Sequence, residues 1–132
     1  MLVPAKNIHR IPNDISFEEA AMTEALACCI QTVLEKIKIT PDDNILLAGP
    51  RCIDLLRLQL VKACGVQCIV IGAAKDADRL KSAEKLEANI ILNTSDKKLT
   101  ESIVKYCDSI NSNVILQDYG AELAIELPLN II

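Results

Sequence analysis

The sequence predicts a protein of the α/β class. From residue 43 onward, short apolar runs alternate with longer runs whose apolar residues recur at helical spacing. The short runs are apolar throughout, as strands are when helices cover both faces of their sheet. Trp is absent and the chain holds one Phe and two Tyr, so Ile, Leu, Val and Ala must fill the core. These three observations together favour helices packed on a buried parallel sheet.

The composition predicts one folded domain that does not bind nucleic acid. The chain has 132 residues, of which 51% are hydrophobic, and this is enough apolar material for one core. Its 14 Lys and Arg against 18 Asp and Glu give a net charge of −4, which lacks the basic surface that nucleic-acid binding requires. The N-terminus has no signal peptide, and no stretch reaches the ~18 apolar residues of a membrane span. We expect a soluble, cytoplasmic protein with no membrane partner.

The six cysteines predict reduced thiols and neither disulfides nor a metal site. Cys28 and Cys29 are adjacent, the other four lie in or beside apolar runs, and no pair has the CxxC spacing. The one histidine, His9, lies far from every cysteine in sequence. We therefore expect buried thiols, a reducing compartment and no zinc.

The N-terminal part of the chain is predicted to form an arm and then a helix. Leu2 to Asn13 carries two prolines and alternates weakly, which predicts an extended arm. Ser16 stands three residues before Glu19, the spacing of a capping box, and Ala20 to Ile37 then supports one long helix. Pro41 is expected to end it. Both sides of this helix are apolar, so we expect neighbouring structure to cover much of it.

Residues 43–132 are predicted to form a truncated nucleotide-binding domain, and residues 1–42 the arm and helix before it. Strands and helices alternate as βαβαβαβ, with strands at 44–48, 67–71, 89–92 and 113–116 and helices at 52–64, 76–86 and 99–107. Right-handed crossovers between apolar strands require a parallel sheet covered on both faces. The expected product is a partial Rossmann-like, three-layer domain with a four-stranded sheet of order 3-2-1-4. In the tail, residues 120–132, helix and strand both remain open.

The turn after the first strand is where such folds bind the pyrophosphate of a dinucleotide, because glycines there let backbone N–H groups approach the phosphates. Here the turn is Gly49-Pro50-Arg51-Cys52-Ile53-Asp54, so Arg51 and Asp54 occupy the second and third glycine positions of GxGxxG. A carboxylate ~5 Å from each phosphate charge would oppose binding by roughly 3 kcal/mol at an effective dielectric near 20. Arg51 offsets part of this charge, but its Cβ also blocks the close backbone approach.

The second strand leads into Gly72-Ala73-Ala74-Lys75 and lacks the acidic residue that would bind the ribose of NAD. Lys75 and Arg79 lie where a 2′-phosphate would sit, which favours NADP over NAD if either binds. The alternative, which we favour, is that both belong to a solvated helix face. The residues that could bind the cofactor are Gly49, Pro50, Arg51, Cys52, Ile53, Gly72, Lys75 and Arg79. We expect weak binding of NADP or NAD at most.

Three stretches resemble the medium-chain, zinc-containing alcohol dehydrogenases of the sorbitol and threonine dehydrogenase type. They are VPAKNIHRIPNDISFEEAAMTEALACC, ITPDDNILLAGPRCIDLL and KACGVQCIVIGAAKDADRLKSAEKLEANIILNTS, and the resemblance covers residues 2–116. In that family such a segment joins the end of a GroES-like catalytic domain to the first half of the nucleotide-binding domain. The resemblance implies a fragment of an NAD(P)-dependent oxidoreductase.

The chain departs from the family's pattern at several functional positions. The family's catalytic zinc ligands would lie upstream of Met1, and only Glu24 matches a position in the zinc environment. Ala25 stands where the family usually has proline, and Glu87-Ala88-Asn89 replaces the usual Gly-Ala-Asp before the third strand. A lone carboxylate does not hold zinc tightly, so the resemblance leaves the chain without a predicted metal.

Three functions follow from these observations. The chain could be an independent dehydrogenase, a module that binds an adenine nucleotide weakly, or a truncated or degenerate relative that folds and self-associates without activity. We favour the third because the turn and the ligand positions have changed together. An apolar fourth strand at the sheet edge also predicts a homodimer through that edge or the tail, with the tail folding over its own edge as the alternative.

Overall fold

The computed structural model describes residues 2–93 and, for the backbone, residues 114–117. Its centre is a parallel sheet, which confirms the α/β class. The strands are β1 (Asn44–Ala48), β2 (Gln67–Gly72), β3 (Ile90–Asn93) and β4 (Val114–Gln117), in the order β3-β2-β1-β4. All three strand pairs are parallel, with Leu46 opposite Ile69 and Ile115. The carboxyl ends of β1 and β2 therefore lie side by side.

Four α-helices lie within the described residues. No helix in this part of the chain is long and apolar enough to cross a membrane. The α-helices are α1 (Phe17–Ala20), α2 (Thr23–Ile30), α3 (Cys52–Ala63) and α4 (Ala77–Lys85), with a π-helix at Gln31–Ile37 and 3-10 turns at Ala5–Asn7 and Ala74–Asp76. The predicted helix at 99–107 and the tail at 120–132 lie outside the described residues.

The prediction of one long helix from Ala20 to Ile37 is wrong. The capping box forms as expected: the Glu19 N–H donates to Ser16 Oγ at 3.2 Å and the Ser16 N–H donates to Glu19 Oε2 at 2.8 Å. At Met22, however, the backbone N–H donates to the Glu19 carbonyl, an i to i−3 bond that ends α1 after one turn. The later part continues as a π-helix and closes at Lys38, whose φ of 59° is left-handed, three residues before Pro41.

Coverage of this N-terminal helical segment also differs from expectation. Cys29 and Val33 are its buried residues, and they face α3 and the sheet. Five large apolar side chains of the segment are exposed: Phe17, Met22, Leu26, Leu34 and Ile37. Apolarity on both sides of a helix therefore did not mean that both sides are covered here.

The core lies between the sheet and the helices that follow β1 and β2. Ile45 and Leu47 of β1 and Cys68 and Val70 of β2 belong to one buried cluster with residues of α3 and α4. The alternate strand residues Leu46 and Ile69 point to the other face of the sheet and are equally buried. Burial on both faces is what the continuous apolar strands predicted.

Backbone conformation at the helix ends fixes the return of the chain to the sheet. Gly65, two residues after the end of α3, has a φ of +76°, and the Val66 N–H donates to the Val61 carbonyl. After α4, Glu87 takes a left-handed φ of 62° without being glycine. Asn89 Oδ1 accepts hydrogen bonds from the Cys68 N–H at 2.8 Å and from the Lys62 ammonium at 3.0 Å. These bonds hold the residue before β3 next to β2.

Candidate nucleotide site

Two turns meet at the carboxyl ends of β1 and β2, the place where open parallel sheets of this order bind ligands. The Gly49 N–H donates to the Ile71 carbonyl at 2.8 Å, so the first turn is tied to β2. A Cβ on Gly72 would lie 3.1 Å from Cδ of the buried Pro50 and 2.9 Å from Cδ2 of Leu80. Gly49, Pro50 and Gly72, which the sequence assigned to one site, are therefore packed together.

The first turn keeps the first glycine of the GxGxxG motif but not the second and third. Gly49 has a φ of +114°, which strongly favours glycine there. Arg51 is the N-cap of α3 with extended backbone and no capping bond from its side chain, and it is exposed together with Cys52. Ile53 is half-buried, and its carbonyl lies 3.6 Å from Cys29 Sγ, which donates to it. Cys52 and Ile53 thus lie in the first turn of α3.

Asp54 lies under this turn and is 1% exposed. Its Oδ1 accepts a hydrogen bond from Arg57 Nη1 at 3.0 Å, in an ion pair whose arginine side chain is 13% exposed. Its Oδ2 lies 3.7 Å from the point where a Cβ on Gly49 would be. The carboxylate therefore fills the space beside Gly49 that the third glycine of the motif would leave open. A dinucleotide pyrophosphate held by a glycine turn does not fit these residues.

Arg57 pairs with Asp54 beneath the first turn, and the sequence did not predict this role. Its signal was the spacing of Asp54 and Arg57, three residues apart on a helix, which places the two side chains on adjacent turns of one face. The chain has the same spacing at Asp76 and Arg79, so spacing alone does not distinguish a buried pair from a surface pair. In the structure the first pair is buried and the second lies nearer the surface.

The two cations predicted to bind a 2′-phosphate lie in the second turn and in the helix after it. Lys75 lies in the 3-10 turn after β2 and is exposed. Arg79 Nη1 donates to Asp76 Oδ1 at 3.0 Å, and the arginine side chain is 57% exposed. The other carboxylate oxygen of Asp76 accepts the Ala73 N–H at 3.3 Å. The exposure of both cations and the engagement of Arg79 within α4 favour the solvated helix face.

The cysteines beside Glu24 do not complete a metal site. Cys28 Sγ lies 3.5 Å from Glu24 Oε1 and donates to it, and this hydrogen bond together with the nearby charge raises the pKa of the thiol. Cys29 is buried and faces α3. In residues 2–93 no three His, Cys, Asp or Glu side chains come together as metal ligands do. The residues described therefore do not fit the zinc ion of the family that the sequence resembles.

The expectation that the thiols are buried is wrong for part of the set. Cys28 and Cys52 are exposed and Cys64 is half-buried, while Cys29 and Cys68 are buried. Cys28 lies on the exposed side of α2, and Cys52 is the first residue of α3. Both cysteines stand beside apolar residues in the sequence, but those residues do not cover them in the structure. Burial raises the pKa of the Cys68 thiol to about 12, so this cysteine is inert.

Comparison with known proteins finds relatives along the whole chain. The chain is 34% identical over 132 residues to D-arabitol-phosphate dehydrogenase of Enterococcus avium, covering all of this chain and 38% of the relative. It is 30% identical over 116 residues to sorbitol dehydrogenase of Halalkalibacterium halodurans, covering 88% of this chain and 34% of the relative. No family model matches the chain.

A solved structure is also similar to this chain. An alcohol dehydrogenase of Escherichia coli CFT073, crystallised with NADH, superposes with a TM-score of 0.76 at 28% identity. The match covers 89% of this chain and 34% of that one. The chain thus spans between 34% and 38% of the length of these three proteins.

Proposed function

This chain is a relative of the medium-chain, zinc-containing alcohol dehydrogenases of the sorbitol and threonine dehydrogenase type, and from that premise we propose that it is a degenerate member of the family. It has the Rossmann-like unit of a nucleotide-binding domain, in strand order 3-2-1-4, with a phosphate turn that no longer binds a dinucleotide in the usual way. In this proposal these 132 residues have no dehydrogenase activity of their own.

One observation carries the proposal: the buried Asp54 carboxylate beside Gly49. The Asp54 side chain occupies the space beside Gly49 that the third glycine of the motif would leave. Arg57 neutralises Asp54 inside the protein, so this positive charge is already engaged by the chain's own carboxylate. The neighbouring Arg51 contributes a Cβ at the second glycine position, which adds a second steric obstacle.

The second candidate is a module that binds an adenine nucleotide weakly, and the arrangement of the two turns favours it. Gly49, Pro50 and Gly72 remain packed together at the carboxyl end of the sheet, where the fold places ligands. An adenosine moiety could bind at the second turn without crossing the first. Lys75 and Arg79 at that turn favour NADP over NAD as the ligand of this candidate.

Thermal unfolding with NAD, NADP and AMP tests these two candidates. In the degenerate member, 1 mM of any of the three raises the melting temperature by less than about 2 °C. A ligand at 100 times its dissociation constant stabilises by about 2.7 kcal/mol, which would shift the melting temperature by many degrees. A shift of that size with AMP as well as NADP supports the weak-binding module, and a shift with NAD and NADP alone shows that the phosphate turn still works.

An activity assay tests the remaining part of the proposal. The chain is incubated with D-arabitol phosphate, sorbitol or threonine, with NAD or NADP and with added zinc, and reduction of the cofactor is followed at 340 nm. We expect no reduction above the blank without protein. Turnover that is lost on chelation would show that the chain is an independent dehydrogenase.

We further propose that the chain forms a homodimer in a reducing, cytoplasmic compartment. The exposed apolar side chains of the helical segment, with Phe17 at 83% exposure, supply surface that a second copy would bury. Sedimentation velocity at micromolar concentration is expected to give a species of about 29 kDa, twice the chain mass of 14.4 kDa. A stable monomer would contradict the dimer.

A further inference from the structure

A ridge of apolar side chains runs along one flank of the N-terminal helical segment, from the N-cap of α2 into the π-helix. Its four members are spaced four residues apart, which places them on one flank of a helix: Met22, Leu26, Ile30 and Leu34. Met22 is 50% exposed, Leu26 37% and Leu34 39%, and Ile30 is half-buried. Another side of the same segment packs on α3 and the sheet. This apolar ridge is therefore open to a partner.

The two ends of the apolar ridge carry opposite charges. Glu18 stands four residues before Met22, and Lys38 stands four residues after Leu34. Both charged residues are exposed, and neither forms a salt bridge with another described residue. In one copy α2 and the π-helix separate them by roughly 20 Å, so they do not pair with each other. Turned end to end, the ridge with its two charges is complementary to itself.

We propose that two copies of the chain associate through the apolar ridge, with their helical segments antiparallel. In a two-fold interface, a contact of one residue with another is matched by the reverse contact. The spacing sets Leu26 opposite Ile30 of the second copy, and Met22 opposite Leu34. This inference rests on the homodimer of the proposed function, and it names the surface and the direction through which that homodimer forms.

The charges decide the direction of the two segments. In the antiparallel arrangement Glu18 of each copy lies opposite Lys38 of the other, which gives one pair of opposite charges at each end of the interface. A parallel arrangement would place two glutamates together at one end and two lysines at the other. Like charges oppose association, so the sequence of the segment favours the antiparallel arrangement.

The competing arrangement is the dimer through the sheet edge or the tail that the sequence predicts. That dimer leaves the apolar ridge outside its interface, so a charge placed on the ridge would not weaken it. The two arrangements therefore differ in how association responds to substitutions in the helical segment.

The first test places a carboxylate at the centre of the apolar ridge with Leu26→Glu. Sedimentation equilibrium at micromolar concentrations measures the dissociation constant of the dimer. We expect this constant to rise about 30-fold or more, because the new carboxylate loses hydration in an apolar interface. Ile11→Glu is the matched control: Ile11 lies in the arm and is 38% exposed, and its substitution should change the constant by about twofold or less. Circular dichroism checks the folding of both variants.

The second test reverses the exposed charges at the ends of the ridge. Glu18→Lys alone, or Lys38→Glu alone, sets like charges against each other at both ends and should raise the dissociation constant about fivefold or more. Both reversals in one chain restore opposite charges, and the constant should return to within about twofold of its original value. An equimolar mixture of the two single variants should form dimers at a concentration where each alone is monomeric, because only the mixed pair has opposite charges at both ends.

These results separate the arrangement from the homodimer itself. An equal response of the dissociation constant to Leu26→Glu and Ile11→Glu would overturn the arrangement and leave the homodimer of the proposed function standing. Single charge reversals without effect, or a double reversal that does not recover, would overturn it as well. A monomeric unmodified chain would overturn both proposals. If Leu26→Glu does not fold, the charge variants decide, since their side chains are exposed.

Discussion

Two aspartate–arginine pairs with the same spacing and the same distance lie beside the two turns at the carboxyl end of the sheet. Asp54 and Arg57 follow β1, Asp76 and Arg79 follow β2, and each pair has an N···O distance of 3.0 Å. The first pair is 1% and 13% exposed, and the second 12% and 57%. The two pairs have the same contact distance and differ in burial. The first pair therefore belongs to the interior beneath its turn, and the second pair belongs to the surface.

This comparison teaches that the surroundings decide what a local motif contributes. A surface pair contributes about 0–1 kcal/mol, because water screens both charges and the side chains lose entropy on pairing. Breaking a buried pair by removing one partner costs about 3–5 kcal/mol, because it leaves an uncompensated charge away from water. The first turn therefore depends on its pair far more than the second turn does.

The largest expected effect comes from removing the two arginines in turn. Arg57→Ala leaves the Asp54 carboxylate buried without its partner and should lower the free energy of unfolding by about 3–5 kcal/mol. Arg79→Ala leaves Asp76 near solvent and should lower it by less than about 1 kcal/mol. Urea unfolding followed by circular dichroism measures both. Equal losses would show that burial does not separate the two pairs.

A smaller effect is expected where the two turns touch. Gly72→Ala places a Cβ 3.1 Å from the Pro50 ring and 2.9 Å from Leu80, and only the leucine side chain can move aside easily. The crowding should lower the free energy of unfolding by about 1–3 kcal/mol. Ala74→Ser, in the exposed 3-10 turn nearby, is the control and should change it by about 0.5 kcal/mol or less. An unchanged free energy of unfolding for Gly72→Ala would mean that the two turns are not packed together.

At the opposite end of α4, a substitution is expected to stabilise the protein. Glu87 has a left-handed φ of 62°, which costs a residue with a Cβ about 1–2 kcal/mol. Glu87→Gly, which restores the residue that the family usually has, should raise the free energy of unfolding by about 1 kcal/mol. Glu84→Gly within α4 should lower it by about 1 kcal/mol, since glycine is unfavourable inside a helix. Destabilisation by both variants would show that Glu87 makes a compensating contact.

The smallest effect concerns an exposed carboxylate that bonds to backbone. The N–H and hydroxyl of Ser16 hydrogen-bond the Glu19 carboxylate and hold its pKa below the usual 4.5. A lowered folded-state pKa means that the capping box contributes stability above pH 4.5 and loses it as the pH falls through the lowered value. NMR of the Ser16 amide proton should follow this loss on acidification. Glu19→Gln, which removes the titrating carboxyl group, should remove the pH dependence, and an unchanged titration would contradict the assignment.

Much of the fold could be predicted because periodicity encodes it. The apolar runs NILLA and QCIVI place β1 and β2, and Gly65 marks the end of α3, since these signals are local and survive in any context. The break at Met22 was not predictable, because its neighbours favour a helix and only the backbone hydrogen bonds reveal the change. Exposure of Cys28 and Cys52 was missed for a similar reason: sequence neighbours do not report which side of a helix is covered.

The candidate site could be predicted by position but not in its chemistry. The glycine motif singled out Gly49, Pro50 and the departure at Asp54, and the end of the second strand supplied Gly72; the structure places these residues close together. The Arg57–Asp54 pair is buried, whereas the Arg79–Asp76 pair with the same spacing is more exposed. Spacing along the chain does not encode burial, so the neutralised carboxylate under the turn became visible only in three dimensions.

Two matched double-mutant cycles test the central claim most directly. The free energy of unfolding is measured for Asp54→Asn, Arg57→Leu and the double variant, and then for Asp76→Asn, Arg79→Leu and their double variant, all in one buffer. The account predicts a coupling energy of about 1.5–3 kcal/mol for the first pair and below about 0.5 kcal/mol for the second. Equal coupling energies, or a larger one for the second pair, would contradict the claim that burial makes the first pair the stronger of the two.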